Sequence, residues 1–235
     1  MTISVILFDL DDTLFAHRAS VARGIMAHLG AIGGFEGADE AAIVDQWYRL
    51  EELHYHRYLA GELDFEGQRS ARARDFGLAH SLEISDPGLW FSTYFERYRE
   101  AWHLHDDALP LLDALELEGY RLGIITNGEP DFQQRKLDQV GLGDRFEKVI
   151  ASGALGITKP DARIFAHAAR EFGVPLDAVA YVGDRFETDA LGAAAAGMLG
   201  VWLDRNDSVT AVQLATAEEA GARVIHSLSE VADLL

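Results

Sequence analysis

The chain has 235 residues, with 20 Lys+Arg against 39 Asp+Glu for a formal net charge of -19, and it contains no Cys. That length buries a sizeable core, while the acidic balance disfavours nucleic acid and anionic membrane as partners. It leaves room for a phosphorylated small molecule, because local Arg, Lys or a metal ion can invert the field in one cleft, and without Cys the chemistry must run on oxygen and nitrogen.

The first element is a strand. Val5-Ile6-Leu7-Phe8 is an apolar run, mostly β-branched or aromatic, that reads as buried on both faces, and Asp9, Asp11 and Asp12 follow where it must end. Ligands of open α/β sheets collect outside the carboxyl ends of the strands, so Asp9 and Asp11 are expected to project together into a crevice. Their crowding calls for a divalent cation, a protonated carboxyl or a nearby Lys. After Met1 the chain starts in strand, with no basic leader and no long apolar segment. Neither a signal peptide nor a membrane span is therefore expected, and the cytoplasm is the expected location.

Beyond Thr13 the periodicity becomes helical over 20–29, 38–59, 65–76 and 89–103, broken by Gly30, Gly33-Gly34, Gly61 and Pro87-Gly88. From Ala108 helices and strands alternate: helix 110–117, strand 122–125, helix 131–140, strand 148–151, helix 160–172, strand 178–182, helix 188–196 and strand 200–203. A short strand 223–225 and a helical tail 229–235 close the chain. Such alternation predicts an α/β fold, a Rossmann-like parallel sheet with helices on both faces. The predicted organisation is a discontinuous core, residues 1–15 and 105–235, with an all-helical insert over 16–104.

Each core strand delivers polar groups at its carboxyl end. Asp9 and Asp11 follow the first strand, Thr126-Asn127-Gly128 the second, and Thr158-Lys159-Pro160 the third, where Pro160 suits the first turn of a helix. Gly183-Asp184 and, five residues on, Asp189 follow the fourth. Phosphoryl transfer needs an in-line nucleophile, neutralisation of the equatorial oxygens and a proton for the leaving alkoxide. Asp9 at the strand tip fits the nucleophile and Asp11 the acid/base. Thr126 and neighbouring backbone N–H groups fit the phosphoryl oxygens, and Lys159 the fixed positive charge. Oxygen-only ligands select Mg²⁺, held by Asp9, Asp184 and the Asp11 carbonyl, with Asp189 orienting a metal water or Lys159 from behind.

These four ordered motifs, Asp9-Leu10-Asp11-Asp12-Thr13, Thr126-Asn127-Gly128, Lys159-Pro160 and Gly183-Asp184-Arg185-Phe186-Glu187-Thr188-Asp189, resemble those of the haloacid-dehalogenase-like hydrolase superfamily over the whole chain. Members are mostly Mg²⁺-dependent phosphatases, and the insert is similar to the helical cap of one large subgroup. The segment 55–76 is similar to the caps of small-metabolite phosphatases such as pyrimidine nucleotidases and N-acylneuraminate-9-phosphatase. Where that family often has Gly after the second Asp, this chain has Asp12, whose side chain is expected to point away from the site. The resemblance implies a phosphatase of a small phosphorylated metabolite (sugar phosphate, nucleotide or acyl-sugar phosphate) acting through an aspartyl-phosphate, as a monomer or homodimer, with the insert as a lid.

The alternatives are a phosphomutase or a dehalogenase of the same superfamily, or a non-catalytic binding protein on this fold. A dehalogenase needs neither the acid at Asp11 nor a metal. A phosphonatase needs a cap Lys, and the only lysines are Lys136, Lys148 and Lys159. Within the insert, His17 and Arg18 lie where the chain leaves the core and are read as substrate or hinge contacts. Arg69 and Arg72 share a helix face, where they either pair with Glu62, Glu66 or Asp75 or read an anion of the substrate. His54 and His56 fall on different faces and are read as structural or surface residues, and Trp47, Trp90 and Trp102 as core of the insert.

Overall fold

The computed structural model describes residues 2–235, which form two compact units. The first runs to Ala16 and resumes at His103–Leu235; the second is His17–Trp102.

The first unit is built on six parallel strands: β1 (Val5–Phe8), β2 (Arg121–Thr126), β3 (Lys148–Ala151), β4 (Val179–Gly183), β5 (Leu199–Leu203) and β6 (Arg223–Ile225). Their order is β3-β2-β1-β4-β5-β6, so β1 lies inside the sheet between β2 and β4. This bears out the Rossmann-like α/β reading. Phe8 stands opposite Ile124 on one side and Val182 on the other, which brings the chain after β1 level with the ends of both neighbours. At this point the strand order reverses, the position where open sheets of this kind bind ligands. All four residues of β1 are fully buried, as a strand covered on both faces requires.

Val5 and Leu7 pack with Ile125 and Tyr181 against Ile164, Phe165 and Ala168 of α8 (Ala162–Phe172). By strand alternation Ile6 and Phe8 face the other side. The remaining helices of this unit are α5 (Ala108–Leu117), α6 (Pro130–Gln139), the short α7 (Ser152–Leu155) and α9 (Gly192–Ala196), and α10 (Ala211–Ala220). The helices depart from the sequence reading at several points. Helix α8 begins at Ala162, not at Pro160: Asp161 is its N-cap, accepting the Arg163 N–H at 2.9 Å, and Pro160 lies before it behind a cis peptide bond. Helix α10 was not anticipated, because Ala217 is its only buried residue. Its signal is the capping box of Thr210 and Gln213.

The second unit is all helical: α1 (His17–Ile32), α2 (Glu40–Leu59), α3 (Phe65–Ala79) and α4 (Pro87–Glu100). Asp39, Asp64 and Asp86 cap the last three, each accepting a backbone N–H of the first turn. Its core is aromatic. Trp47 is fully buried and meets Phe76, Trp90, Phe91 and Tyr94 with ring centroids 4.8–6.1 Å apart. Among the described residues no helix is long and apolar enough to cross a membrane.

Candidate active site

Asp9 follows β1 directly, and its N–H donates to Val182 O at 2.8 Å, so the strand's ladder fixes its backbone. Its Oδ1 accepts from Lys159 Nζ at 2.6 Å. The same ammonium donates to Asp189 Oδ1 and to the Tyr181 hydroxyl, both at 2.8 Å. Three acceptors thus satisfy its three protons, and all four residues are buried. Tyr181 passes its own proton to Ile125 O at 2.9 Å, tying this cluster to the sheet.

Asp189 arrives here through a π-helical turn, Phe186–Leu191, which folds the chain after Asp184 back under β4. Its second oxygen accepts the Arg185 N–H at 3.0 Å. Position 183 must be glycine for this to happen, since a Cβ there would lie 2.5 Å from the Asp189 carboxyl carbon. Asp184 stands at the mouth of the turn, its carbonyl held by Trp202 Nε1 at 3.0 Å and its Oδ1 buried without a hydrogen-bond partner among the described residues.

Oxygens of Asp9, Asp184 and Asp189 lie within 4.8 Å of one another, with one ammonium among them. The excess negative charge registers in the acids themselves. Burial, reinforced by Asp189 and Asp11 and opposed by Lys159, pushes Asp9 up to about 7. Burial and the charges of Asp9 and Asp189 raise Asp184 well above the carboxylate range. Burial works against the Lys159 ammonium, yet Asp189 and Asp9 outweigh it and hold Lys159 above its ordinary value. A hard divalent cation fits this donor set: all ligands are carboxylate oxygens, one is an orphan, and the local charge is uncompensated.

Thr126 ends β2, and Gln133 of α6 donates to its hydroxyl oxygen at 3.1 Å, which leaves the hydroxyl proton free to donate elsewhere. The next two residues hydrogen-bond to neighbouring loops. The Asn127 side chain bridges both backbone groups of Lys159, accepting its N–H at 2.9 Å and donating to its carbonyl at 3.2 Å. The Gly128 N–H donates to Ser152 Oγ at 3.0 Å. Both therefore brace the loops that carry Thr126 and Lys159. Asp12 adopts φ 60°, in the left-handed region that favours glycine.

Foremost among the residues that sequence reasoning missed is Lys136. It lies on α6, 2% exposed, and donates to Asp11 Oδ1 and Oδ2 at 2.6 and 2.8 Å. Tyr181, Gln133 and Ser152 were also missed. A lysine in a mostly polar ten-residue helix reads as solvent-facing, but its rarity in this chain and its i,i+3 spacing from Gln133 were available signals.

In the helical unit His17 is held by Tyr98, whose hydroxyl lies 2.8 Å from its Nδ1, and by Glu51 at 3.5 Å. Arg18 is exposed and lies over the Tyr48 ring. Arg69 pairs with Glu66 at 3.0 Å, as the helix-pair reading has it, and stacks on Phe65. Arg72 departs from that reading: it is buried, pairs with Glu51 at 2.8 Å and lies 3.9 Å from the Trp47 ring centroid. Its partner comes from α2 because α3 turns this side chain into the aromatic core. His54 is buried against Asp75 at 2.9 Å, and His56 is exposed beside Glu52.

A family model described as haloacid dehalogenase-like hydrolase matches residues 3–197. The phosphoserine phosphatase of Thermus thermophilus is 32% identical over 222 residues, covering 86% of this chain and 88% of that protein. The glyceraldehyde 3-phosphate phosphatase of Pyrococcus abyssi is 33% identical over 210 residues, covering 85% and 81%. Among solved structures, the HAD-hydrolase YfnB of Bacillus subtilis, bound to magnesium, superposes with a TM-score of 0.79 at 20% identity, covering 100% of this chain and 99% of that one.

Proposed function

Since the chain belongs to the haloacid dehalogenase-like hydrolases, we propose that it is a Mg²⁺-dependent phosphatase of a small phosphorylated metabolite, working through an aspartyl-phosphate on Asp9. The observation that carries this reading is the state of Asp9. One oxygen is pinned by Lys159 at 2.6 Å and the other has no hydrogen-bond partner among the described residues, so the carboxylate is both oriented and available to attack. The phosphatase activities of the relatives named above support the reaction class, with the helical insert in the role of a cap.

In the first half-reaction the free Asp9 oxygen forms a bond to phosphorus as the bond to the leaving oxygen breaks, and Asp11 gives that oxygen its proton. Water then attacks the phosphorus of the aspartyl-phosphate and Asp11 takes its proton. Inorganic phosphate leaves and the Asp9 carboxylate is restored. Lys159 keeps its charge against the reacting carboxylate throughout, anchored by Asp189 and Tyr181. The Thr126 hydroxyl, with Gln133 on its lone pair, turns its proton toward a phosphoryl oxygen. Asp9, Asp184 and the Asp11 carbonyl would hold Mg²⁺, with Asp189 behind them, and the ion supplies neutralisation of charge on the phosphoryl oxygens.

Phosphate release from a panel of phosphorylated acids, sugars and nucleotides, including phosphoserine and triose phosphates, with Mg²⁺ and with EDTA, tests the reading. Turnover that EDTA abolishes is expected, and Asp9→Asn should eliminate it while leaving the fold intact. No release from any member with Mg²⁺, or substantial turnover by Asp9→Asn, overturns it.

A further inference from the structure

Only three of the 20 basic residues are lysine. Lys148 is at the surface, 3.9 Å from Glu171, whereas Lys136 and Lys159 are both buried at the carboxyl end of β1. Lys159 serves Asp9 and Asp189. Lys136 serves Asp11 alone among the described residues, through both carboxylate oxygens at 2.6 and 2.8 Å. Its ammonium sits between two rings, 5.0 Å from the centroid of Phe15 and 4.9 Å from that of Phe132.

A buried ammonium is a poor way to stabilise a fold. A well-packed apolar pair in place of Lys136 and Asp11 together would fill the same space without desolvating a charge, and such replacement of a whole buried ion pair is often neutral or stabilising. The charge therefore needs another account, and its single partner provides one. A lone Asp at the end of a strand can rotate its carboxylate, but one gripped at both oxygens has its plane and direction fixed. Helix α6 delivers two such grips one turn apart, Gln133 on the Thr126 hydroxyl and Lys136 on Asp11, so one helix face sets the directions of two groups at the site.

We infer that Lys136 is the positioning residue for Asp11, fixing where the acid/base carboxylate meets the leaving-group oxygen. The inference deepens the phosphatase reading and rests on it. Lys136 touches neither phosphorus nor leaving group in this assignment; it acts through Asp11 only.

The test uses leaving groups that differ in their need for a proton. An alkyl phosphate needs one from Asp11, whereas p-nitrophenolate departs without it, and kcat/KM reports the steps up to that departure. For Lys136→Met, kcat/KM on the best alkyl phosphate of the panel should fall by about 10²-fold, at least tenfold more than on p-nitrophenyl phosphate. In an Asp11→Asn background, Lys136→Met should add no further loss on the alkyl phosphate. If Lys136→Met does not fold, Lys136→Gln takes its place: a neutral amide keeps a donor in the slot but cannot hold both Asp11 oxygens with a charge, and the same split between substrates is expected. Equal losses on both substrates, no loss, or additive losses in the double variant overturn the assignment of Lys136 while wild-type turnover leaves the phosphatase reading standing. Wild-type enzyme inactive on both substrates with Mg²⁺ overturns that reading and this inference with it.

Discussion

Replacing Lys159 by Met isolates what one ammonium does among three acids. The variant keeps the side chain's length and removes two charge-assisted hydrogen bonds, at 2.6 Å to Asp9 and 2.8 Å to Asp189, together with the one to Tyr181. Removing one partner of a buried ion pair costs about 3–5 kcal/mol, because the remaining charge stays buried without compensation. Here all the partners are buried, so the upper part of that range applies. For a chain of this size, 1 kcal/mol corresponds to roughly 2–4 °C in Tm, which places the loss near 10–15 °C in EDTA. A divalent cation among the same carboxylates should return much of it: at a hundredfold excess over Kd, binding contributes about 2.7 kcal/mol. Thermal unfolding of wild type and variant, each with EDTA and with saturating Mg²⁺, reads both quantities. Turnover should fall at least 10²-fold, on the scale of losing one preorganised charge at a transition state. A variant as stable as wild type in EDTA, or one that Mg²⁺ protects no better than it protects wild type, would refute the reasoning.

Asp184 and Asp189 should separate in the same assays. Asp184→Ala removes the carboxylate with the orphan oxygen and should raise the Mg²⁺ concentration needed for half-maximal rate far more than Asp189→Ala, which removes the acceptor of Lys159 and the Arg185 N–H and should lower Tm more; the opposite ranking contradicts the assignment. His28 sets a pH dependence in the helical unit. Burial, helped by Arg97, lowers it to about 4 from an ordinary 6.5, so the unfolded chain takes up the proton first. Stability is fully present above pH 6.5 and is lost as the pH falls toward 4, by up to about 3 kcal/mol. His28→Leu should flatten that part of the urea-midpoint profile, and an unchanged slope between pH 6.5 and 4 would count against it.

The sheet was legible because its strands are buried on both faces and so appear as bare apolar runs: β3 falls over 148–151 as read from the sequence, and the others within about a residue at each end. Helix α10 was not, since a helix that buries one alanine leaves no periodic signal. At the site, Asp9, Thr126, Lys159, Asp184 and Asp189 could be picked out because each stands at the end of, or shortly after, a strand. The residues that orient them could not. Tyr181 and Ser152 look like ordinary interior positions, Lys136 and Gln133 like the polar face of a helix, and their partners lie 7 to 125 positions away along the chain. Arg72 was misplaced for the same reason: helix spacing names its neighbours on α3 but says nothing of a glutamate brought up by α2.

The two passages through which the core releases and recovers its chain are stitched together. Ala16 N–H donates to His103 O at 3.0 Å, His105 N–H to Leu14 O at 2.9 Å, and Phe15 bridges Leu104 in antiparallel fashion. Loop closure between these ends is therefore made within the core itself, and the length of what is inserted enters only logarithmically, about 0.6 kcal/mol per doubling for a flexible segment. The stitch has a mechanical side as well. Phe15 also accepts the Asp12 N–H at 2.7 Å, so the turn carrying Asp11 and Asp12 is clamped on the core side of the exit. Tension along the chain beyond Ala16 therefore meets the Ala16–His103 hydrogen bond and the Phe15–Leu104 bridge before it reaches the turn that carries Asp11 and Asp12.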